Sequence, residues 1–460
     1  MKKLIYVAFI AWIAFASCRK IEIDGPVVTD PTNTEKTILE GRITANTTLK
    51  ASSTYKLRGL VYVTNGAILT IEPGTKIVGE KGKNGGLIIT RSCKIIAEGT
   101  PEKPIVFTSE ESTPQRGDWS GVVILGNAPT NSSFNGQVGV GEVEGGINNS
   151  DGLGLYGLGA SSNPVDNSGI LKYVRIEYAG YAFLPDKEIN GLTLAGVGSG
   201  TVLDHIQVSY ANDDAFEFFG GTVNATHLIA YRTLDDDFDT DNGFSGRIQF
   251  GIALRDSAVA DISKVESFES DNDANGSQLL PQTKAIFSNM TVAGPRATLS
   301  NVGNSLYNSA AQIRRNSTIS IFNSIIIGWP VGLLIDASKG YPTDNNIASS
   351  LFFQNNIIGG CNVPVKYAAS TSSATGATSA SILDWVNTVA FGNSILTTTA
   401  EVKLNAPFNY ANPDFGPTAG SPALVGAAFS NSLLKVGFVS VSYRGAVGPN
   451  DTWYKGWTKF

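Results

Sequence analysis

Beyond Lys36 the apolar residues do not recur at intervals of three and four over any long window, so the chain holds almost no amphipathic helix. They come as short β-branched clusters: Leu60-Val61-Tyr62-Val63, Leu69-Thr70-Ile71, Leu87-Ile88-Ile89, Ile105-Val106-Phe107, Val122-Val123-Ile124-Leu125, Ile206-Gln207-Val208 and Ile325-Ile326-Ile327. Most are bounded by Gly, Asn or Pro, the mark of strands separated by turns. From Val174 onward many clusters return at irregular intervals in the twenties and thirties, which signals a solenoid. The clearest repeat sets Asp204–Gly221 on Thr226–Gly243 without gaps, at an offset of 22 residues. It places His205 on His227, Asp213 on Asp235, Asp214 on Asp236, Phe216 on Phe238 and Glu217 on Asp239. A unit of that length with three short strands is one coil of a parallel β-helix, stacked on its neighbours. The fold expected over 37–440 is therefore all-β, a single-stranded right-handed parallel β-helix. Gly-rich insertions such as Gly136 to Gly159 are expected to project from it. The aromatic stretch 441–460, with Tyr443, Trp453, Tyr454, Trp457 and Phe460, is expected to plug an open end.

The N-terminus follows a different pattern. Lys2 and Lys3 precede an apolar run from Leu4 to Phe15, and Ala16, Ser17 and Cys18 follow. This order reads as a secretory signal over 1–17, too short to be a spanning helix. Phe15-Ala16-Ser17-Cys18 resembles a bacterial lipobox, which implies lipidation of Cys18 and a new N-terminus there. The polar stretch 18–36 reads as a flexible tether. With Cys18 spent on lipid, Cys93 and Cys361 remain, far apart in the chain and read as buried free thiols. A net charge of −6 gives no electrostatic reason to hold nucleic acid or an anionic membrane surface.

The chemistry concentrates where the repeat is clearest. Asp213, Asp214, Glu217, Asp235, Asp236, Asp237, Asp239 and Asp241 face a single formal positive charge within that segment, Arg232. A weaker alignment at offset 36 adds Asp271 over Asp235 and Asp273 over Asp237. Stacked one coil apart, roughly 4.8 Å, like charges repel by about 3.5 kcal/mol at an effective dielectric near 20 and by about 0.9 kcal/mol in water. Such a ladder needs protons, a base or a cation. By the alternation of side chains in an extended segment, Asp235, Asp237, Asp239 and Asp241 are expected to face one way, and Phe216 and Phe218 share a face, so Glu217 points the other way. Three readings stay open: hydrated turn residues, bound calcium, which suits hard oxygen clusters and leads narrowly, and a catalytic site. His205 and His227 are read as packing residues, since no third histidine or nearby cysteine completes a metal site.

Asn212-Asp213-Asp214-Ala215-Phe216-Glu217-Phe218-Phe219-Gly220-Gly221, the following Asp-Asp-Asp run, Gly117-Asp118-Trp119-Ser120-Gly121 and the terminal Gly456-Trp457-Thr458 resemble a group of β-helical surface proteins of Bacteroidota and related aquatic bacteria. The broader fold is similar to that of pectate lyases, and a fold does not carry function with it. The resemblance implies a lipid anchor on the outer face of the outer membrane. Two function classes follow, with a structural or adhesive scaffold as a third. One is a non-catalytic accessory lipoprotein binding polysaccharide or a surface partner beside an outer-membrane nutrient importer, with Tyr156, Tyr181 and Phe183 as exposed aromatics and calcium in the ladder. The other is a calcium-dependent polysaccharide lyase or hydrolase, with Arg232 or Arg255 as the lyase base.

Overall fold

The computed structural model describes residues 37–184, 187–295, 304–347, 349–369 and 375–460. The expected signal, the tether and Cys18 lie outside the described residues.

Parallel strands wind as a right-handed β-helix with three sheets. The first sheet begins with Thr47–Leu49, Ile68–Ile71 and Lys94–Glu98, and its register passes from Ile71 to Ala97, Leu171, Leu203 and Ala225. The second runs through Lys76–Gly79 and Ile105–Ser109 to Ile176, Val208, Ala230 and Ala253. The third stacks Gly86–Ile89, Gly121–Leu125, Leu192–Ala195, Phe216–Phe219, Phe238–Asp241, Val265–Ser270 and Tyr307–Arg314. Alternate residues of all three point inward and are buried, which is why the clusters are β-branched.

One residue in the left-handed region turns the first sheet into the second. Tyr173, His205, His227, Phe250, Asn289 and Asn323 occupy that corner, coil after coil, with φ between 49° and 62°. Bulky side chains in this region cost roughly 1–2 kcal/mol each, and here they stack. Ring centroids lie 4.4 Å apart for Tyr173 and His205, 4.2 Å for His205 and His227, and 5.2 Å for His227 and Phe250. Asp204 bonds Nδ1 of both histidines at 2.8 Å. The histidine pair thus stabilises a strained corner.

Two expectations about the periphery are corrected. The C-terminal stretch does not close an end; it runs back along the flank. Asn323 accepts from Gly445 N, Asn289 donates to Tyr443 O, Gln249 accepts from Val439 N and Gln207 from Lys459 N. This strap already touches Asn323 from Ala428, so 440 is not a boundary. The reason lies on the outer face of the second sheet, where Ile229, Tyr231, Ile252, Leu254 and Ile325 are apolar and are buried under Ala446, Val447, Tyr454 and Trp457. The last coil is instead closed by the helix Ser379–Val386, which starts at a Thr378 capping box and sinks Ile382 and Val386 into the core. Truncating Trp457, which is 1% exposed, to alanine is expected to cost about 3–4 kcal/mol. Urea denaturation measures this loss, and an unchanged midpoint would contradict the strap's role.

The Gly-rich insertion does not project either. It leaves the third sheet after Leu125 and folds back over that sheet's outer face, where Tyr62, Ile88, Val123, Leu125 and Ala195 offer apolar surface to Val143, Ile147 and Tyr156. Tyr62 Oη donates to Ile147 O at 2.7 Å. Gly145, at φ +70°, lies so close to Ile189 that a Cβ would sit 2.4 Å from its Cγ1.

Candidate acidic site on the third sheet

The outer face of the third sheet changes character along one register column: Val123, Thr193, Glu217, Asp239, Glu269 and Gln312 succeed one another. Beneath the acids lies a stack of core rings, with Phe216 and Phe238 centroids 5.5 Å apart and Phe238 and Phe268 5.7 Å apart. Each coil therefore repeats a phenylalanine turned in and an acid turned out. The outward face is not open to water at Glu217, which is 3% exposed. The insertion's Glu144 and Tyr156 lie near it, and Tyr156 stacks on Phe219 at 6.2 Å.

The turn before each acidic strand adds a second row. Asp214 Oδ1 accepts from Asp236 N at 2.7 Å, and Asp236 Oδ1 accepts from Glu266 N at 2.6 Å. One oxygen of each thus ties two coils together, as short side chains do in turns. Carboxylate oxygens gather within 4.8 Å of one another in three groups, the first two sharing Asp214: Asp213, Asp214 and Asp235; Asp214, Glu217 and Asp239; Asp236, Glu266 and Glu269.

Apart from Glu269, the members of these groups lack cations. Among the described residues no lysine or arginine forms an ion pair with Asp213, Asp214, Glu217, Asp235, Asp236, Asp239 or Glu266. The charge is balanced only at the edge, where Arg314 bridges Glu269 and Asp271 and Arg315 pairs with Asp271. Glu217 Oε1, Asp235 Oδ1, Asp239 Oδ1 and Glu266 Oε2 are buried without a hydrogen-bond donor. Burial first, and neighbouring carboxylates second, push Asp213, Glu217, Asp235, Asp236 and Asp239 well above the usual carboxylate range. Burial also raises Glu266 to about 7 and Asp241 to about 8. Several acidic oxygens within 4.8 Å of one another, with no positive partner, fit a hard cation taking oxygen ligands at roughly 2.3–2.6 Å.

Not every residue expected in the ladder belongs to it. Asp237 is 0% exposed and is consumed elsewhere: Oδ1 accepts from Arg255 Nη1 at 2.7 Å and Thr233 Oγ1 at 3.2 Å, and Oδ2 from Ser267 Oγ at 2.8 Å. The parity argument fails there because Asp235–Asp237 form a turn rather than a strand. The alignment at offset 36 is also corrected, since Phe238 pairs with Phe268 and Asp239 with Glu269, an offset of 30. Asp271 therefore follows Asp241 rather than Asp235. Asp273 accepts from Asn275 N, Ser277 N and Ser277 Oγ in its own turn. Glu266 and Glu269 escaped the sequence reading, although the recurring pairs Phe216-Glu217, Phe238-Asp239 and Phe268-Glu269 carry the signal.

The expected ligand residues fare unevenly. Tyr156 is 2% exposed and bonds Ser132 Oγ at 2.9 Å, so it is a packing residue and not an exposed aromatic. Tyr181 is partly exposed, and the side chain of Phe183 lies outside the described residues. Arg255 is enclosed against Asp237 and Tyr307, unable to reach a substrate as a base. Arg232 is half-buried and paired with Asp256.

Three parallel sheets coiled about one core, with an anionic site on one flank, define a right-handed parallel β-helix protein. More particularly, the chain belongs to the pectate-lyase like β-helix domain family, whose model matches residues 41–400. No curated protein matches the sequence. The crystal structure of pectate lyase Pel9A is similar at 11% identity and a TM-score of 0.37, over 92% of this chain and 85% of that one. A likeness at that level carries no argument about activity.

Proposed function

We propose that this protein is a non-catalytic lipoprotein, anchored through Cys18 on the outer face of the outer membrane, that binds an acidic polysaccharide through calcium held by the third-sheet carboxylates. The observation that carries the reading is the set of buried oxygens on Glu217, Asp235, Asp239 and Glu266 that no donor or side-chain cation satisfies. A divalent ion shared among Asp213, Asp214 and Asp235 would keep a side toward solvent, because Asp213 and Asp235 are half-buried while Asp214 is buried. Calcium held there would take a sugar carboxylate as a further oxygen ligand. The signal and tether support delivery to the cell surface, where a nutrient importer is the expected neighbour. Against a lyase, Arg255 is sealed in an ion pair and Arg232 is committed to Asp256.

The test uses the chain from Glu35 with acidic and neutral polysaccharides, in calcium or in chelator, followed by binding and by the ultraviolet absorbance of unsaturated sugars. Binding that needs an acidic glycan and calcium, without product, is expected. Accumulation of unsaturated product would overturn the non-catalytic reading, and absence of any glycan binding would overturn the whole proposal.

A further inference from the structure

The corner that leads from the second sheet into the third is built differently from the histidine corner. Tyr178, Tyr210 and Arg232 succeed one another there, again in the left-handed region, with φ of 63°, 56° and 53°. Tyr178 and Tyr210 stack almost parallel, with centroids 5.0 Å apart and planes 4° apart. Two guanidinium groups flank Tyr210: those of Arg116 and Arg232, each 5.4 Å from its centroid. Arg232 also lies 4.9 Å from the ring of Tyr410.

The two arginines differ in what holds them. Arg232 is paired with Asp256. Arg116 donates to the carbonyl of Ala211 at 3.1 Å and, among the described residues, forms no ion pair with a carboxylate. Burial, then the nearby charges of Arg255 and Arg232, disfavour its charged form, against the opposing charge of Asp256. A guanidinium so placed gains most from an anion, which its donor fork matches in geometry. The histidine corner is covered by Trp453 and Trp457, whereas Tyr178, Tyr210, Arg116 and Arg232 all keep part of their surface. Tyr210 stands three residues before Asp213 and Arg232 three before Asp235. Each coil thus carries an aromatic or cationic corner and, one short turn on, a carboxylate of the acidic site.

We infer that Arg116, Tyr178, Tyr210 and Arg232 form an anion subsite for a saccharide, with a sugar face on the tyrosines and a carboxylate or sulfate on Arg116. The inference rests on the proposed glycan binding and extends it. A polyanionic chain would place one charged group on Arg116 and a neighbouring one on calcium at Asp213 and Asp235. Only a ligand with repeated negative charge uses both.

Calorimetric titration of the calcium-loaded protein tests this with oligogalacturonate, dextran sulfate and neutral dextran, in the wild type, Arg116→Gln and Tyr178→Leu. Oligogalacturonate binding is expected to weaken about tenfold in Arg116→Gln, the scale of a lost charge-assisted hydrogen bond. Tyr178→Leu should weaken it severalfold, and calcium affinity should stay at the wild-type value in both. Dextran sulfate binding with the same dependence on Arg116 would assign the anion to sulfate, and a response to oligogalacturonate alone to carboxylate. Wild-type affinity in both variants would overturn the subsite while leaving the glycan reading standing. A wild type that binds no anionic glycan would overturn both.

Discussion

Arg255→Met is expected to lower the unfolding free energy by about 3–5 kcal/mol, because it leaves Asp237 charged in a fully buried site with only hydroxyl donors. The cost comes from the stranded carboxylate rather than from the pair, since the attraction of a buried ion pair is largely offset by desolvation. Arg255→Met combined with Asp237→Leu should therefore recover most of the loss. Urea denaturation of the single and double variants separates the two cases. A single variant within about 1 kcal/mol of wild type would contradict the placement of Arg255.

The second large effect is a stability that depends on pH in opposite ways with and without calcium. In the unfolded chain the site's carboxyls titrate near their usual value, about 4. In the folded chain they are raised, Glu266 to about 7 and Asp241 to about 8. A raised carboxyl favours the fold at low pH, where it is protonated, and that contribution is lost as pH climbs through the folded value. In chelator, stability should therefore fall between roughly pH 4 and pH 8, by up to about 1.4 kcal/mol per pH unit for each proton released. Calcium reverses the trend, because it binds the ionised carboxylates and adds about 2.7 kcal/mol at a hundredfold excess over its dissociation constant. Thermal melts across this range check both limbs. A chelated protein most stable at pH 8 would contradict the cation-deficient site.

The fold was legible because a parallel β-helix writes its coil into the chain. The offset of 22 between Asp204–Gly221 and Thr226–Gly243 is the structural register, residue for residue, through Ile206 and Leu228 to Phe216 and Phe238. Face assignment at Glu217 followed from alternation within a strand. It failed at Asp237, where the chain turns and alternation has no meaning. The third coil follows at an offset of 30 rather than 36 because Asp256 to Lys264 lengthen the turn that precedes it, and the paired phenylalanines rather than the aspartates mark the register. The sites of the insertion and strap were hidden for another reason. An outward apolar residue such as Ile252 or Val123 looks in sequence like any core residue, and only the assembled sheet shows which face it needs covered. Arg116 lay far from the ladder in sequence and reaches Tyr210 only once the coils are stacked.

The central claim is that the carboxylates of the third sheet hold calcium, and calorimetric titration of the chelator-stripped chain with calcium tests it most directly. Saturable binding is expected, weakened at least about tenfold in Glu217→Gln, which removes a charge from a group in which two of the three carboxylates are buried. A titration without saturable heat, together with a melting midpoint that is the same in calcium and in chelator, would contradict the account.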